Sequence, residues 1–465
     1  MSKIRLFVDF GSTFTKLVAF DLEAEELLGR VQVPSTVETD ITVGLNQAFS
    51  LLAQVVPFGE EERKQTVACS SAAGGLRVVC VGLVPEYTTE AGKRAALGAG
   101  AKIVGSYSYE LSEQELKEIE ELAPDIVLLT GGTDGGNKRV IIHNAAMLAR
   151  TGPQVTNIVV AGNKSAYDEV DRLLAGTGKN VIYTKNVMPE VGVLDVDAAN
   201  RTIRDLFIAR ITEAKGISKV GSMIAGVLMP TPAAMLEAAK LFSEGLPDEP
   251  GLGELLMVDV GGATTDVYSI ARGTPASGSV RYVGLPEPYA KRTVEGDLGL
   301  YHNLDTLKEV ARDQDPPGWF DDVVEKMCLE RSVPSDPLEK ECHVLLTRAA
   351  VRTAVNRHVG QLKPVFTPDG EVWLQRGKDL TQVKWVVGAG GPVSFSSDPA
   401  RVLEGAVYEP DLPLLLKPKH PQFLLDKHYI FFALGLLAQS EPVKALRLMR
   451  RYAVPVDKQN EGGGA

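Results

Sequence analysis

Short apolar runs broken by glycine-rich turns dominate the chain, and one such arrangement occurs twice. Ile4–Phe20 (IRLFVDFGSTFTKLVAF) reads as an apolar strand, an Asp-x-Gly turn rich in hydroxyls, and a second strand. Leu255–Ile270 (LLMVDVGGATTDVYSI) has the same layout, with Asp259 standing before its glycines as Asp9 stands before Gly11. A third strand-to-glycine turn lies at Lys384–Val393 (KWVVGAGGPV). Between the two hairpins the pattern changes. Val67–Ala72, Val78–Pro85, the segment opening at Ala101, Asp125–Asn137, Asn157–Asn163 and Asn180–Pro189 read as strands, several ending in glycines such as Gly74-Gly75. Thr88–Leu97, with Thr88 or Thr89 as N-cap, Leu111–Pro124 and Lys138–Arg150 read as helices. Strands alternating with helices predict an α/β unit with parallel strands. Further on, Arg201–Ala214 reads as a helix, and Gly226–Gly245 as a helix with Pro230 or Pro232 in its first turn. Residues 295–365 read as mostly helical, with a break at Asp315-Pro316-Pro317-Gly318. Tyr429–Ala438 reads as a buried helix, and the glycine-rich tail as disordered.

A chain of 465 residues predicts several domains, and 44% hydrophobic content is ample for their cores. The net charge of −11 disfavours non-specific nucleic-acid binding, which needs a basic stripe. No uncharged apolar run reaches the ~18 residues of a membrane span, and the first residues lack the apolar core of a signal peptide. Cys69, Cys80, Cys328 and Cys342 are scattered without a CxxC pair, which fits reduced thiols and a cytoplasmic location. The six histidines show no H-x-x-x-H spacing.

The hairpins carry the chemistry. A carboxylate beside such a turn can hold magnesium, an ion that keeps most of its waters and binds through one or two carboxylates plus phosphates. Asp9 and Asp259 are the candidate metal-binding carboxylates. Backbone amides at Gly11, Ser12 and Thr13 suit a terminal phosphate, with Lys16 as a cation. Gly261, Gly262, Thr264 and Thr265 repeat that logic, and Asp266 re-enters the second strand. Gly388, Gly390 and Gly391 suit a base, a ribose or an α-phosphate, because backbone packs flat on a nucleotide where side chains are absent. The alternative for each hairpin is an ordinary turn, where Asp, Gly and Ser are common; the repetition favours a nucleotide. Neither segment is a P-loop, since no G-x-x-x-x-G-K-[ST] is present.

The order of these motifs resembles the actin, sugar-kinase and Hsp70 ATPase superfamily. VDFGSTFTK is similar to its phosphate-1 hairpin, MVDVGGATTD to phosphate-2, and VVGAGGPV to its adenosine motif. LMPTPAAMLEAA and ALGLLA resemble its two connecting helices. The resemblance implies an α/β actin-like ATPase fold of duplicated ribonuclease-H-like lobes with an inserted α/β domain, binding ATP or ADP and Mg2+. The implied division is 1–64 for the first lobe's N-terminal part, 65–190 for an inserted, partner-binding domain, and 191–250 for the return to the first lobe with the first connecting helix. The second lobe then takes 251–455, and 456–465 is a tail. VDFGSTFTK, LLTGGTDGGN and TVEGDLGL (Thr293–Leu300) together resemble the MutL/GlmL family, the accessory proteins of adenosylcobalamin-dependent glutamate mutase, unrelated to the mismatch-repair protein of similar name. That resemblance implies an ATP-dependent reactivating chaperone that works on adenosylcobalamin-dependent mutase subunits and drives exchange of damaged cobalamin. Membrane and nucleic acid are not implied partners, and a homo-oligomer is compatible. Cobalamin ligation is not implied either, because no D-x-H-x-x-G segment is present.

The sequence departs from the superfamily at one place. Met229 stands before Pro230 where the Hsp70-like members carry an acidic residue that positions the attacking water. By motif, Asp9, Asp259 and Asp266 are the remaining catalytic candidates, and slow hydrolysis suits a switch. Two other functions stay open on the residues alone: a small-molecule kinase, which needs a carboxylate base near a substrate hydroxyl, and a nucleotide-binding scaffold. The interior loop GGTDGGN reads either as a partner contact or as a tight strand-to-helix turn, and Glu295-Gly296-Asp297 as a carboxylate cluster or a solvated loop.

Overall fold

The computed structural model describes residues 3–37, 39–71, 76–213, 223–275, 278–330, 334–368 and 370–456. The chain divides into two compact units. One comprises Met1–Ser70, Lys219–Val283 and Glu287–Ala465, and the other Ser71–Ser218 with Gly284–Pro286.

The first unit contains two sheets of the same design. The first sheet is built from β1 (Ile4–Phe10), β2 (Phe14–Asp21), β3 (Glu26–Pro34), β4 (Val67–Ser70) and β5 (Gly226–Pro230), in the order β5-β4-β1-β2-β3. The second is built from β6 (Leu255–Val260), β7 (Thr265–Ile270), β8 (Ala290–Glu295), β9 (Trp385–Ala389), β10 (Gln422–Asp426) and β11 (Ala453–Val456), in the order β8-β7-β6-β9-β10-β11. In each sheet a hairpin and its next strand run antiparallel, and two later strands add in parallel on the other side of the first strand. The second sheet adds β11 as an antiparallel edge. The two sheets thus repeat one strand order, the duplicated α/β design that the resemblance to the actin-like superfamily implies. Every residue of β6 and β7 is buried, which is why these strands read as continuous apolar runs rather than alternating ones.

One hydrophobic core joins the two sheets through α1 (Thr231–Glu244) and α2 (Phe431–Leu437). Phe7 and Val18 of the first sheet, Met257 and Val387 of the second, and Met235 and Phe432 of the helices all belong to it. The helices cross closely because small residues line the contact. A Cβ placed on Gly435 would fall 1.9 Å from the Ala234 carbonyl oxygen. Beside it the Phe242 and Phe431 rings meet edge to face at 5.5 Å.

The second unit has its own core and a five-stranded sheet formed by Arg77–Gly82, Lys102–Ser108, Ile126–Leu129, Asn157–Val160 and Asn180–Tyr183. All neighbours are parallel, and the spatial order places the second strand outside the first, with the third, fourth and fifth following on the other side. Its helix Glu113–Leu122 begins on a capping box in which Ser112 and Glu115 bond each other's amides.

Several expectations shift. Val67–Ser70, expected to open the inserted domain, pairs in parallel with β1 in the first sheet. Gly226–Pro230, expected to be helical, is a strand paired with β4, and the helix begins only at Thr231. A five-residue apolar run has no period of its own, so its neighbours decide its state. The helix Asp197–Glu213, expected in the first lobe, falls in the second unit, where Ala199, Ile203 and Phe207 are buried. Thr88 does not cap a helix through its side chain; its hydroxyl accepts from the amides of Leu83 and Val84. Val456, expected in the tail, ends β11, and the rest of that tail lies outside the described residues, as do Gly74 and Gly75. Among the described residues no helix is long and apolar enough to cross a membrane.

Because the α1–α2 crossing leaves no room for a side chain, Gly435→Ala is expected to destabilise the fold by about 2 kcal/mol. Denaturant or thermal melts check this, and an unchanged midpoint would contradict the close crossing.

Candidate functional site

The two hairpin turns are built alike. Gly11 N donates to Phe14 O at 3.1 Å, and Gly261 N donates to Thr264 O at 2.8 Å. In each hairpin the aspartate stands two residues before the glycine that closes the turn. The register then sets what that aspartate faces: Asp9 lies opposite Lys16, and Asp259 lies opposite Asp266. Residues directly opposed across a ladder share one face, so the first hairpin pairs opposite charges and the second pairs like charges.

The first pair is closed. Lys16 Nζ lies 2.6 Å from Asp9 Oδ2, and Thr231 Oγ1 donates to Asp9 Oδ1 at 2.6 Å. Asp9 is fully buried, so both bonds offset the loss of water around its charge. Cys69 Sγ lies 3.7 Å from the same Oδ1, and burial beside that carboxylate pushes its thiol well up. Met229, by contrast, has its side chain in the core from β5. The first connecting helix therefore sends Thr231, not the residue before Pro230, to the site.

The second pair is open on one side. Asp266 is held by the buried Arg292 of β8, whose Nε and Nη2 lie 2.8 and 2.6 Å from Oδ1, and Thr264 Oγ1 donates to Oδ2 at 3.1 Å. Asp259 is 8% exposed, and its Oδ1 is buried with no hydrogen-bond partner among the described residues. Burial, and then the charge of Asp266, push its carboxyl up to about 8. A buried carboxylate oxygen without a donor is costly unless a proton or a cation meets it.

The turns close on each other. A Cβ on Gly262 would fall 2.6 Å from Thr13 Oγ1, itself buried without a hydrogen-bond partner among the described residues. The third glycine turn lies against the same carboxylate. Gly390 has φ +87°, and a Cβ there would stand 2.0 Å from Val260 O and 2.6 Å from Asp259 Oδ1. Gly388 packs under Val393 and Leu403, and Gly391 opens the short helix Gly391–Ser394. Thr265 is turned elsewhere, its buried hydroxyl donating to Leu298 O at 2.7 Å. Ser12 lies in the β1–β2 turn beside Thr13.

Asp426, at the end of β10, is a buried carboxylate that motif reading passes over. It accepts from Ile430 N at 2.9 Å and Phe431 N at 2.8 Å, capping α2, and burial pushes it up to about 6. An aspartate a few residues before an apolar helical run is the sequence signal that marks such a cap. Glu295 and Asp297 are tied to Arg357 at 2.6 and 2.9 Å. The interior glycine loop is closed on itself. Asp134 Oδ1 accepts from Lys164 N and Asn186 Nδ2, and Asn163 bonds Gly135 N and Gly136 O.

Among the described residues no group of three or more His, Cys, Asp or Glu side chains could hold a metal ion as a full ligand set. The open oxygen of Asp259 suits an ion that keeps its waters, as magnesium does, whereas Asp9 already meets Lys16 and Thr231. The orphan oxygen of Asp259 is the observation that favours this fit.

The raised carboxyl of Asp259 has a consequence for stability. The folded state keeps a proton that the unfolded chain releases near 3.8, so this group's contribution is present at low pH and is lost as pH rises toward about 8. Asp259→Asn is expected to leave melting nearest to wild type at pH 3.5, below the release by the unfolded chain, and to raise it progressively relative to wild type toward pH 8. Equal effects at both pH values would contradict this.

Comparison with known proteins places the chain in a family. The family described as MutL protein matches residues 5–453. The Protein MutL of Clostridium tetanomorphum is 45% identical over 459 residues, covering 97% of this chain and 99% of that protein. Among solved structures, the ethanolamine utilization protein EutJ of Carboxydothermus hydrogenoformans aligns over 96% of this chain and 90% of its own at 12% identity, with a TM-score of 0.30. The xylulose kinase of Bifidobacterium adolescentis aligns over 97% and 94% at 11% identity, also with a TM-score of 0.30. With the family matched across nearly its whole length and a relative this similar, the chain belongs to the MutL protein family.

Proposed function

We propose that this protein is an ATP-dependent reactivating factor for an adenosylcobalamin-dependent mutase of the glutamate (methylaspartate) type. The observation that carries the nucleotide part is the pair of aspartate-bearing hairpins whose turns meet at Thr13 and Gly262. In this reading Mg2+ sits through its waters on Asp9 and Asp259, and supplies charge neutralisation for the phosphates. Lys16 and the amides of Gly11, Ser12 and Thr13 hold the terminal phosphate from one side. Gly261 and Gly262 hold the phosphates from the other, and Gly388, Gly390 and Gly391 support the nucleoside. Thr231 keeps the Asp9 carboxylate in place.

Family membership supports the mutase as client. The small-molecule kinase reading loses support from the site itself. A kinase needs a free carboxylate base, whereas both oxygens of Asp266 are engaged by Arg292 and Thr264, and in this reading the open oxygen of Asp259 faces the cation. With Met229 in the core, hydrolysis is slow and works as a switch. ATP and ADP favour different lobe arrangements, as any ligand-driven change requires. The second unit, with its exposed strand-end loops, transmits the change to the mutase and frees damaged cobalamin for exchange.

The decisive experiment inactivates such a mutase with damaged cobalamin and then adds this protein, ATP, Mg2+ and fresh coenzyme. Recovery of activity that needs ATP is expected, and no recovery sinks the reading. ATP turnover is expected to rise with added mutase and not with sugars or polyols. Asp9→Ala and Asp259→Ala are each expected to weaken Mg-ATP binding tenfold or more, and Thr231→Val by about tenfold as the loss of a supporting partner. Titration calorimetry reads all three, and normal binding by both aspartate variants would overturn the hairpin assignment.

A further inference from the structure

Tyr429, expected to open the buried helix Tyr429–Ala438, lies instead in the turn before α2, and its surroundings are built around it. Its backbone is left-handed, φ +49°, which a bulky residue adopts only when its neighbours impose it. The imposing contacts are on either side. Tyr429 N donates to Asp426 O at 3.0 Å, and the Asp426 carboxylate takes the amides of Ile430 and Phe431 at 2.9 and 2.8 Å. The turn between β10 and α2 is thereby fixed, and the side chain it presents is 6% exposed. Phe432 supports the ring edge to face at 6.1 Å.

The ring's own face meets a cation. Lys16 Nζ lies 4.6 Å from the Tyr429 ring centroid and 2.6 Å from Asp9 Oδ2. Lys16 and Asp9 belong to the first sheet, and Tyr429 follows the β10 strand of the second. A lysine ammonium on a flexible four-carbon stem is strongly hydrated and has no fixed direction. An aromatic face removes water from one side and attracts the charge through its quadrupole.

We propose that Tyr429 is a positioning residue for the nucleotide site: its ring holds the Lys16 ammonium on Asp9, at the turn that meets the terminal phosphate. The cation is then set by both sheets together, so its placement depends on their arrangement. This inference rests on the nucleotide reading above.

The test separates ring face from ring shape. Replacing Tyr429 by a ring-fluorinated phenylalanine keeps the shape and removes the negative face. Turnover of Mg-ATP is expected to fall about tenfold with the fluorinated ring and with Y429L, while Y429F rescues it to within about twofold. In a K16M background the same replacements are expected to cost nothing further. A fluorinated ring as active as Y429F, or a Y429L cost that persists with K16M, overturns the proposal. Melting of the single and double variants reads the same coupling without nucleotide, and additive effects there also overturn it. A wild-type protein that binds no Mg-ATP fails the nucleotide reading instead, and the melting cycle still decides the role of Tyr429.

Discussion

Placing four carboxylates in one buried interior is the constraint on which the rest of the first unit depends. Asp9, Asp259, Asp266 and Asp426 are all buried or nearly so, and a buried charge must be met by a partner or given up. Three are met from within the chain, each by a different device. Lys16 and Thr231 meet Asp9, Arg292 and Thr264 meet Asp266, and the first amides of α2 meet Asp426. Of the four, Asp259 alone keeps a buried oxygen without a donor among the described residues. The unmet group lies where the two hairpin turns and the third glycine turn converge, and it is there that we propose the cation brought with phosphate to sit.

The duplication explains the geometry, and its one broken symmetry explains the chemistry. Both hairpins close with the same amide-to-carbonyl bond and present an aspartate at the same place. The residue across the ladder differs: a lysine in one copy, an aspartate in the other. In one half the hairpin's own lysine meets the aspartate, while in the other Arg292 of β8 meets Asp266 and leaves an oxygen of Asp259 open. Two helices that cross at Gly435 and Ala234 carry the core from one sheet to the other. Anything that shifts that crossing alters how the halves face each other.

Much of this is legible in the residues. The hairpins and the third glycine turn read directly, because tight turns and close backbone approach demand glycine at set positions, as at Gly390. The alternating strands and helices of the second unit read from periodicity. Legibility ends where partners come from far along the chain. Val67–Ser70 and Gly226–Pro230 are short apolar runs whose place is set by pairing with β1 and with each other, and neither carries that information locally. Thr231 and Asp426 look like ordinary helix-start residues; the bond from Thr231 to Asp9 spans more than two hundred positions.

By itself, the sequence determined which chemistry this protein can hold: two Asp-Gly turns, a third glycine turn and membership of one family. These depend on local rules of backbone conformation and on residue identity, which need no knowledge of distant contacts. Only the tertiary structure decided which carboxylates are satisfied and which is left open. Burial and the sign of the neighbouring charge come from strand register and from elements far apart in the chain. For the same reason Met229 could be named from sequence as a missing acid, while Thr231 and Tyr429 emerge as the groups that reach Asp9 and Lys16 only once the helices and sheets are packed.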